Sequence, residues 1–326
     1  MYKVFVTARV LKQNEEVFDI LRENGCEIVP NPCYGRMLSE EELIENLQGI
    51  DGLILGMEKV NANVLSHLDS LKVISRFGVG YDNVDVATAT AKGIAVTNVP
   101  GQNSESVAEL AIAHMLAISR KIPTGWDQVR DGRWDIINGC ELKDKTLGIM
   151  GLGRIGKSVA LKAKAFNMKV IVYDRSAATK KADFCKENDI EIVSKEALLT
   201  RSDYVSLHMP GAEELKNFIG AEELSLMKPT AFLINTARGA LVDEDALYNC
   251  LSEKRIAGAA LDDLASLPLL KDNKLLSLDN VIITPHMGAN TFEANQRTKL
   301  MVIYNLLAGL TGEYNENVVN LADLKK

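Results

Sequence analysis

No stretch of the chain reaches the roughly 18 uninterrupted apolar residues that a membrane-spanning helix needs, so no membrane partner is expected. The opening MYKVFVTARV enters a strand-like alternation without the charged, apolar and small-residue zones of a secretory signal, which points to a cytoplasmic protein. Five cysteines (Cys26, Cys33, Cys140, Cys185, Cys250) are scattered and form no CxxC pair. Neither a disulfide framework nor a metal site is expected from them. There is no Lys/Arg block with interleaved aromatics, and the formal net charge of -7 would repel a phosphate backbone, so nucleic acid is an unexpected partner. Histidine is scarce: there are four, and each needs context before it is given a role.

What is present describes a globular protein. At 326 residues, 47% hydrophobic and 25% charged, the chain has the size of two domains and an ordinary composition. The first hundred residues alternate short β-branched runs (KVFVT, EIVP, GLILG, LKVISRFG, IAVTN) with polar helical segments, the rhythm of a parallel α/β sheet. NSESVAELAIAHMLAISRKIP then reads as one helix, capped at Asn103 or Ser104, running to Pro123 and bridging two domains. After a loop holding Trp126 and Trp134 the rhythm restarts with KTLGIMG, KVIVYD, YVSLHMP, AFLINTA, IAGAALDD and NVIITPH, a second parallel sheet. A last amphipathic helix is expected over 291–310, and from the short tail after it no added regulatory domain is expected.

The strand TLGIM runs into Gly151-Leu-Gly153-Arg-Ile-Gly156, then an apolar-faced helix, then the strand KVIVY ending at Asp174. A GxGxxG between strand and helix, with an acid about 20 residues on, is a dinucleotide fingerprint. Gly151 would allow the tight turn, Gly153 the approach of a pyrophosphate, and Gly156 close packing of helix on strand. Amides near Arg154 and Ile155 would face the phosphates. Asp174 would accept from the ribose hydroxyls and repel a 2′-phosphate, which favours NAD over NADP.

His208, Arg238 and His286 each come just after a strand of the second sheet, the edge where α/β proteins place ligands. His67 and His114 fall within helical segments and read as packing or surface residues. An arginine that holds a carboxylate and polarises a carbonyl, beside a histidine that supplies a proton, suits the reduction of a 2-keto acid. RFGVGYDNVD, the VAEL helix, GLGRIGKSVA, INTARGALVDEDAL, GAALDD, ITPHMGAN and the NVVN ending resemble the D-isomer-specific 2-hydroxyacid dehydrogenase family across nearly the whole chain. In overall wording the chain is most similar to its short phosphoglycerate dehydrogenases.

That resemblance implies a flavodoxin-like substrate domain (1–101 with 291–326), a Rossmann-like NAD-binding domain (102–290), and a homodimer formed through the latter. It implies that Arg238 binds substrate, that His286 is the general acid/base, and that the amides of Val79 and Gly80 hold the substrate carboxylate. It also places Arg154, Ile155, Asp174, Thr236, Arg238, Asp262, His286 and Gly288 at the cofactor, Asp262 at the nicotinamide carboxamide, with His208 and Pro210 in a lining turn. The two domains would close around the substrate and exclude water.

One position departs from the family. A Glu-Pro pair usually comes after this strand, its glutamate bonded to the catalytic histidine; aligned on Asp262 and Pro268, the glutamate's place is held by Leu267. Leucine cannot orient an imidazole or favour its charged form. Asp263 could compensate only if a bulge broke strand alternation, so a cap, turn contact or surface position is expected for it. Glu244 and Glu293 are the other candidates. Two functions are open: an NAD-dependent dehydrogenase of a small 2-hydroxy acid, or an impaired NAD(H)-binding regulator of corepressor type. The loop LILGMEKVNANV offers Lys59 but no arginine around Gly56 and Met57, which argues against a phosphorylated substrate and leaves glycerate, glyoxylate, lactate or a branched-chain analogue open.

Overall fold

The computed structural model describes residues 1–12, 15–265 and 272–324. The chain forms two compact units, Met1–Asn103 with Thr291–Lys326, and Ser104–Asn290. In the first unit, β1 (Tyr2–Val6), β2 (Cys26–Val29), β3 (Gly52–Leu55), β4 (Val73–Arg76) and β5 (Ala95–Thr97) form a parallel sheet in the order β2-β1-β3-β4-β5. This is the flavodoxin-like order. Alternation explains the continuous apolar runs. Phe5, Leu53 and Ile74 enter one core, whereas Val4, Ile54 and Val73 enter another with Leu306 and Leu310 of the helix Phe292–Thr311. That helix starts where the Thr291 hydroxyl accepts from the Ala294 amide, and ends at Gly312 in the left-handed conformation (φ 78°).

The second unit carries β6 (Thr146–Met150), β7 (Lys169–Tyr173), β8 (Glu191–Ile192), β9 (Tyr204–Leu207), β10 (Phe232–Asn235), β11 (Gly258–Leu261) and β12 (Val281–Ile283). All pair in parallel, in the order β12-β11-β10-β9-β6-β7-β8. The chain steps outward from β6 to β8, then returns to the other side of β6 with β9. The switch point therefore lies between the C-terminal ends of β6 and β9, where open α/β sheets bind ligands. Neighbouring residues again divide between two cores: Leu233 and Leu261 on one face, Ile234 and Ala260 on the other.

Three local expectations change. The helix over 104–123 is two helices, Ser104–Ser119 and Ile122–Arg130, because Lys121 turns left-handed (φ 52°) and Pro123 lies in the first turn of the second helix. Proline is tolerated there because the amide it lacks has no partner within a first turn. Trp126 is therefore helical rather than in a loop. The third is β8, two exposed residues with no apolar signature to announce them. Among the described residues no helix is long and apolar enough to cross a membrane, and no group of three or more potential metal ligands occurs.

Candidate active site

The glycine turn after β6 is shaped by close approach. Gly151 has a left-handed backbone (φ 95°), and a Cβ there would lie 2.6 Å from the carbonyl oxygen of His208, just past the end of β9. A Cβ on Gly156 would lie 2.2 Å from the Gly151 carbonyl oxygen, so only glycine lets the helix Arg154–Ala165 sit this close to the turn. Around Gly153 the situation is opposite: a Cβ would meet nothing within 4 Å. No side chain caps this helix, so its first amides, at Arg154 and Ile155, face open space, as an anion seat requires.

Asp174 stands at the end of β7 and is tightly held. Its Oδ2 accepts from the Leu152 amide (2.7 Å) and the Lys181 ammonium (2.5 Å), and its Oδ1 from the amide (2.8 Å) and hydroxyl (2.9 Å) of Ser176. Burial pushes the carboxyl up, but Lys181 and the two amides outweigh it and hold it at about 2. Lys181, seven residues after Asp174 in a polar run, carries no sequence signal for this pairing.

Two enclosed polar atoms line the same sheet edge without a hydrogen-bond partner among the described residues: His208 Nδ1 and Thr236 Oγ1. Buried polar atoms are normally satisfied, and a bound dinucleotide can do this here. His208 Nε2 lies 2.8 Å from the Ser206 hydroxyl, and burial pushes the imidazole down to about 4, so it stays neutral. Pro210, two residues on, is exposed. An open glycine turn, uncapped helix amides and orphaned polar atoms suit a dinucleotide, whereas the four acceptor positions of Asp174 are taken within the chain, so a ribose hydroxyl must displace one of its partners.

Arg238 stands after β10 on a turn built by Asn235. The buried Asn235 side chain accepts from the Ala237 amide (3.0 Å) and donates to the Arg238 carbonyl (2.8 Å), while Arg238 donates to the Ala237 carbonyl (2.8 Å). This bracket is legible in the sequence only as an Asx turn at a strand end.

β11 ends at Leu261, and the two aspartates come next. The Asp262 amide donates to the Asn235 carbonyl (2.8 Å), and its carboxylate accepts from the Thr284 hydroxyl (2.5 Å), the Met287 amide (2.9 Å) and the Gly288 amide (2.7 Å). Asp262 thus fixes the turn after β12 on which His286 stands, with His286 in the left-handed region (φ 52°). A residue in that region is strained and persists because its surroundings overdetermine it. His114, from the helix Ser104–Ser119, is buried and sits with Nε2 3.1 Å from the Thr284 hydroxyl, so it belongs to this support.

Asp263 corrects the expectation from alternation. It is neither on the surface nor capping a helix: its side chain is 9% exposed, and its Oδ1 lies 3.3 Å from His286 Nδ1. Alternation binds only residues within a ladder, and β11 has ended two residues earlier. The approach is off-line, so Nδ1 makes no aligned hydrogen bond. Glu244 is otherwise engaged, accepting from the Ala265 amide (2.5 Å), and Glu293 belongs to the other unit. Leu267 and Pro268 lie outside the described residues.

In the first unit, the loop after β4 carries Val79 and Gly80. The Asn98 side chain donates to the Val79 carbonyl (2.8 Å), and because a peptide group is planar this also fixes the direction of the Gly80 amide.

Comparison with known proteins identifies the family. Residues 112–288 match the family described as D-isomer specific 2-hydroxyacid dehydrogenase, NAD binding domain. The chain is 42% identical over 328 residues to D-3-phosphoglycerate dehydrogenase of Methanocaldococcus jannaschii, covering 99% of this chain but 60% of that protein. It is 40% identical over 332 residues to glyoxylate reductase of Thermococcus litoralis, covering 98% of this chain and 96% of that one. Among solved structures, an acyclic imino acid reductase (Bsp5) in complex with NADPH and D-Arg is 33% identical with a TM-score of 0.85, over 97% of this chain and 99% of that one.

Proposed function

The chain belongs to the D-isomer specific 2-hydroxyacid dehydrogenase family, and from that premise we propose that it interconverts a small 2-keto acid and its D-2-hydroxy acid with NAD. The observation that carries this reading is the arrangement of Arg238 and His286 on turns after β10 and β12, in the sheet whose β6 turn fits a dinucleotide. When bound, the nicotinamide supplies or accepts the hydride. The chain's own residues do the rest. The Arg154 and Ile155 amides hold the pyrophosphate and Asp174 the ribose, while His208, Pro210 and Thr236 line the cofactor. Three bonds leave room for about one more on the Asp262 carboxylate, which suits the nicotinamide carboxamide beside Gly288. The Val79 and Gly80 amides take the substrate carboxylate; Arg238 polarises the keto oxygen, and His286 gives it a proton.

NAD is favoured over NADP because the Asp174 carboxylate stands where a 2′-phosphate would have to lie, a preference that the paired Lys181 ammonium reduces. A small, unphosphorylated acid of the glyoxylate or glycerate type is favoured because the loop after β3 itself supplies Lys59, exposed, and no arginine, and Arg76, which lies against Met57, is engaged with Asn83. The NAD-binding unit also leaves Trp126, Trp134 and Ile136 63%, 88% and 93% exposed, and we assign them to a homodimer contact. The competing reading, an NAD(H)-binding regulator without turnover, rests on Leu267 standing where the family has its acid.

Steady-state assays with NADH and a panel of 2-keto acids, run on wild type beside Leu267→Glu, separate the two. Wild type is expected to turn over at least one small acid. Silence from wild type with clear turnover by Leu267→Glu would favour the regulator.

A further inference from the structure

We infer that Asp263 is the carboxylate that orients His286, taking over from a position four residues further along the chain where Leu267 stands. The inference rests on the dehydrogenase reading above and names a positioning residue for it. Three observations carry it. Asp263 is a buried acid whose one described polar contact is His286 Nδ1, at 3.3 Å. A carboxylate removed from water needs a partner, and His286 is the one that the described residues supply. The neighbouring acid serves the backbone instead, since both Asp262 oxygens accept from the turn that carries His286 and none of its described contacts is to the ring.

Geometry divides the labour between the two aspartates. With the ladder ended at Leu261, successive side chains can both turn toward the β12 loop. Asp262 holds that loop's backbone, and Asp263 meets the ring. Asp263 lies on the Nδ1 side, so Nε2, at the far side of the ring, is left to exchange a proton with substrate. The nitrogen that carries the proton is set by the bond the other nitrogen makes. A carboxylate at Nδ1 favours the Nδ1–H tautomer and fixes the plane of the ring. The off-line contact fits a site without substrate, where catalytic hydrogen bonds are commonly long or poorly aligned.

The test is imidazole nitrogen NMR on the full-length protein with NAD, together with steady-state kinetics. Wild-type His286 is expected as the Nδ1–H tautomer when neutral. Asp263→Val should move it toward Nε2–H and lower kcat by roughly 10²-fold or more, with the KM for NAD changed little. Adding Leu267→Glu to Asp263→Val should restore both. Should Asp263→Val not fold, the isosteric Asp263→Asn serves, with a loss of at least about tenfold in kcat and a mixed tautomer expected. Wild-type tautomer and kcat in the folded variant would overturn the inference. If the tautomer responds to Asp263 but no 2-keto acid is turned over, the pairing stands and the dehydrogenase reading falls.

Discussion

On the proposed reading, Asp174 bears on cofactor choice while also serving the fold. Its four intramolecular bonds tie the glycine turn at Leu152 to the segment that begins at Ser176 and includes Lys181. A 2′-phosphate would bring a second anion against a carboxylate that stays ionised down to about pH 2. Replacing Asp174 by Ala removes that repulsion and leaves Lys181 unpaired. We predict that Asp174→Ala raises the KM for NAD about tenfold or more and moves the NADP/NAD ratio of kcat/KM upward by roughly 10- to 100-fold. Initial rates with the two cofactors measure this; an unchanged ratio would remove Asp174 from the specificity argument. Asp263 was the residue least legible in the sequence. Its expected orientation assumed a ladder continuing past Leu261, and where a strand ends is set by hydrogen bonding across the sheet, which residue pattern does not specify.

Elements were far more legible than their ends. The five strands of the first sheet and six of the seven in the second are mostly apolar runs, because a parallel sheet covered on both faces buries most of its residues. The exception, β8, pairs through its backbone while both side chains are exposed, so nothing in its composition marks it. Likewise, the proline taken as a helix stop is a helix start, since both uses place it at a boundary. The junction of β6 with the helix Arg154–Ala165 gives an element-scale prediction. Gly156→Ala puts a methyl 2.2 Å from the Gly151 carbonyl oxygen, so helix and turn must separate. Overpacking of this kind costs about 1–3 kcal/mol. We expect a lowered melting temperature and at least about a tenfold rise in the Kd for NADH, read by fluorescence titration; an unchanged Kd would show that the helix end is not the phosphate seat.

For the whole molecule, the exposed apolar surface of the NAD-binding unit makes association the first question. Sedimentation velocity at micromolar concentration should give a dimer, and Trp134→Glu combined with Ile136→Glu should give a monomer. A monomeric wild type would count against that surface as an interface. The histidines carry a different consequence. Burial pushes His114 below its usual range, only partly opposed by Asp262, and pushes His208 to about 4. The His208 ring, at the switch point, is therefore neutral near pH 7, while His114, shifted in the same direction, supports the turn of His286. The switch point thus offers a quiet background, against which a charge arising near neutral pH during a rate or spectral titration cannot be credited to the His208 ring.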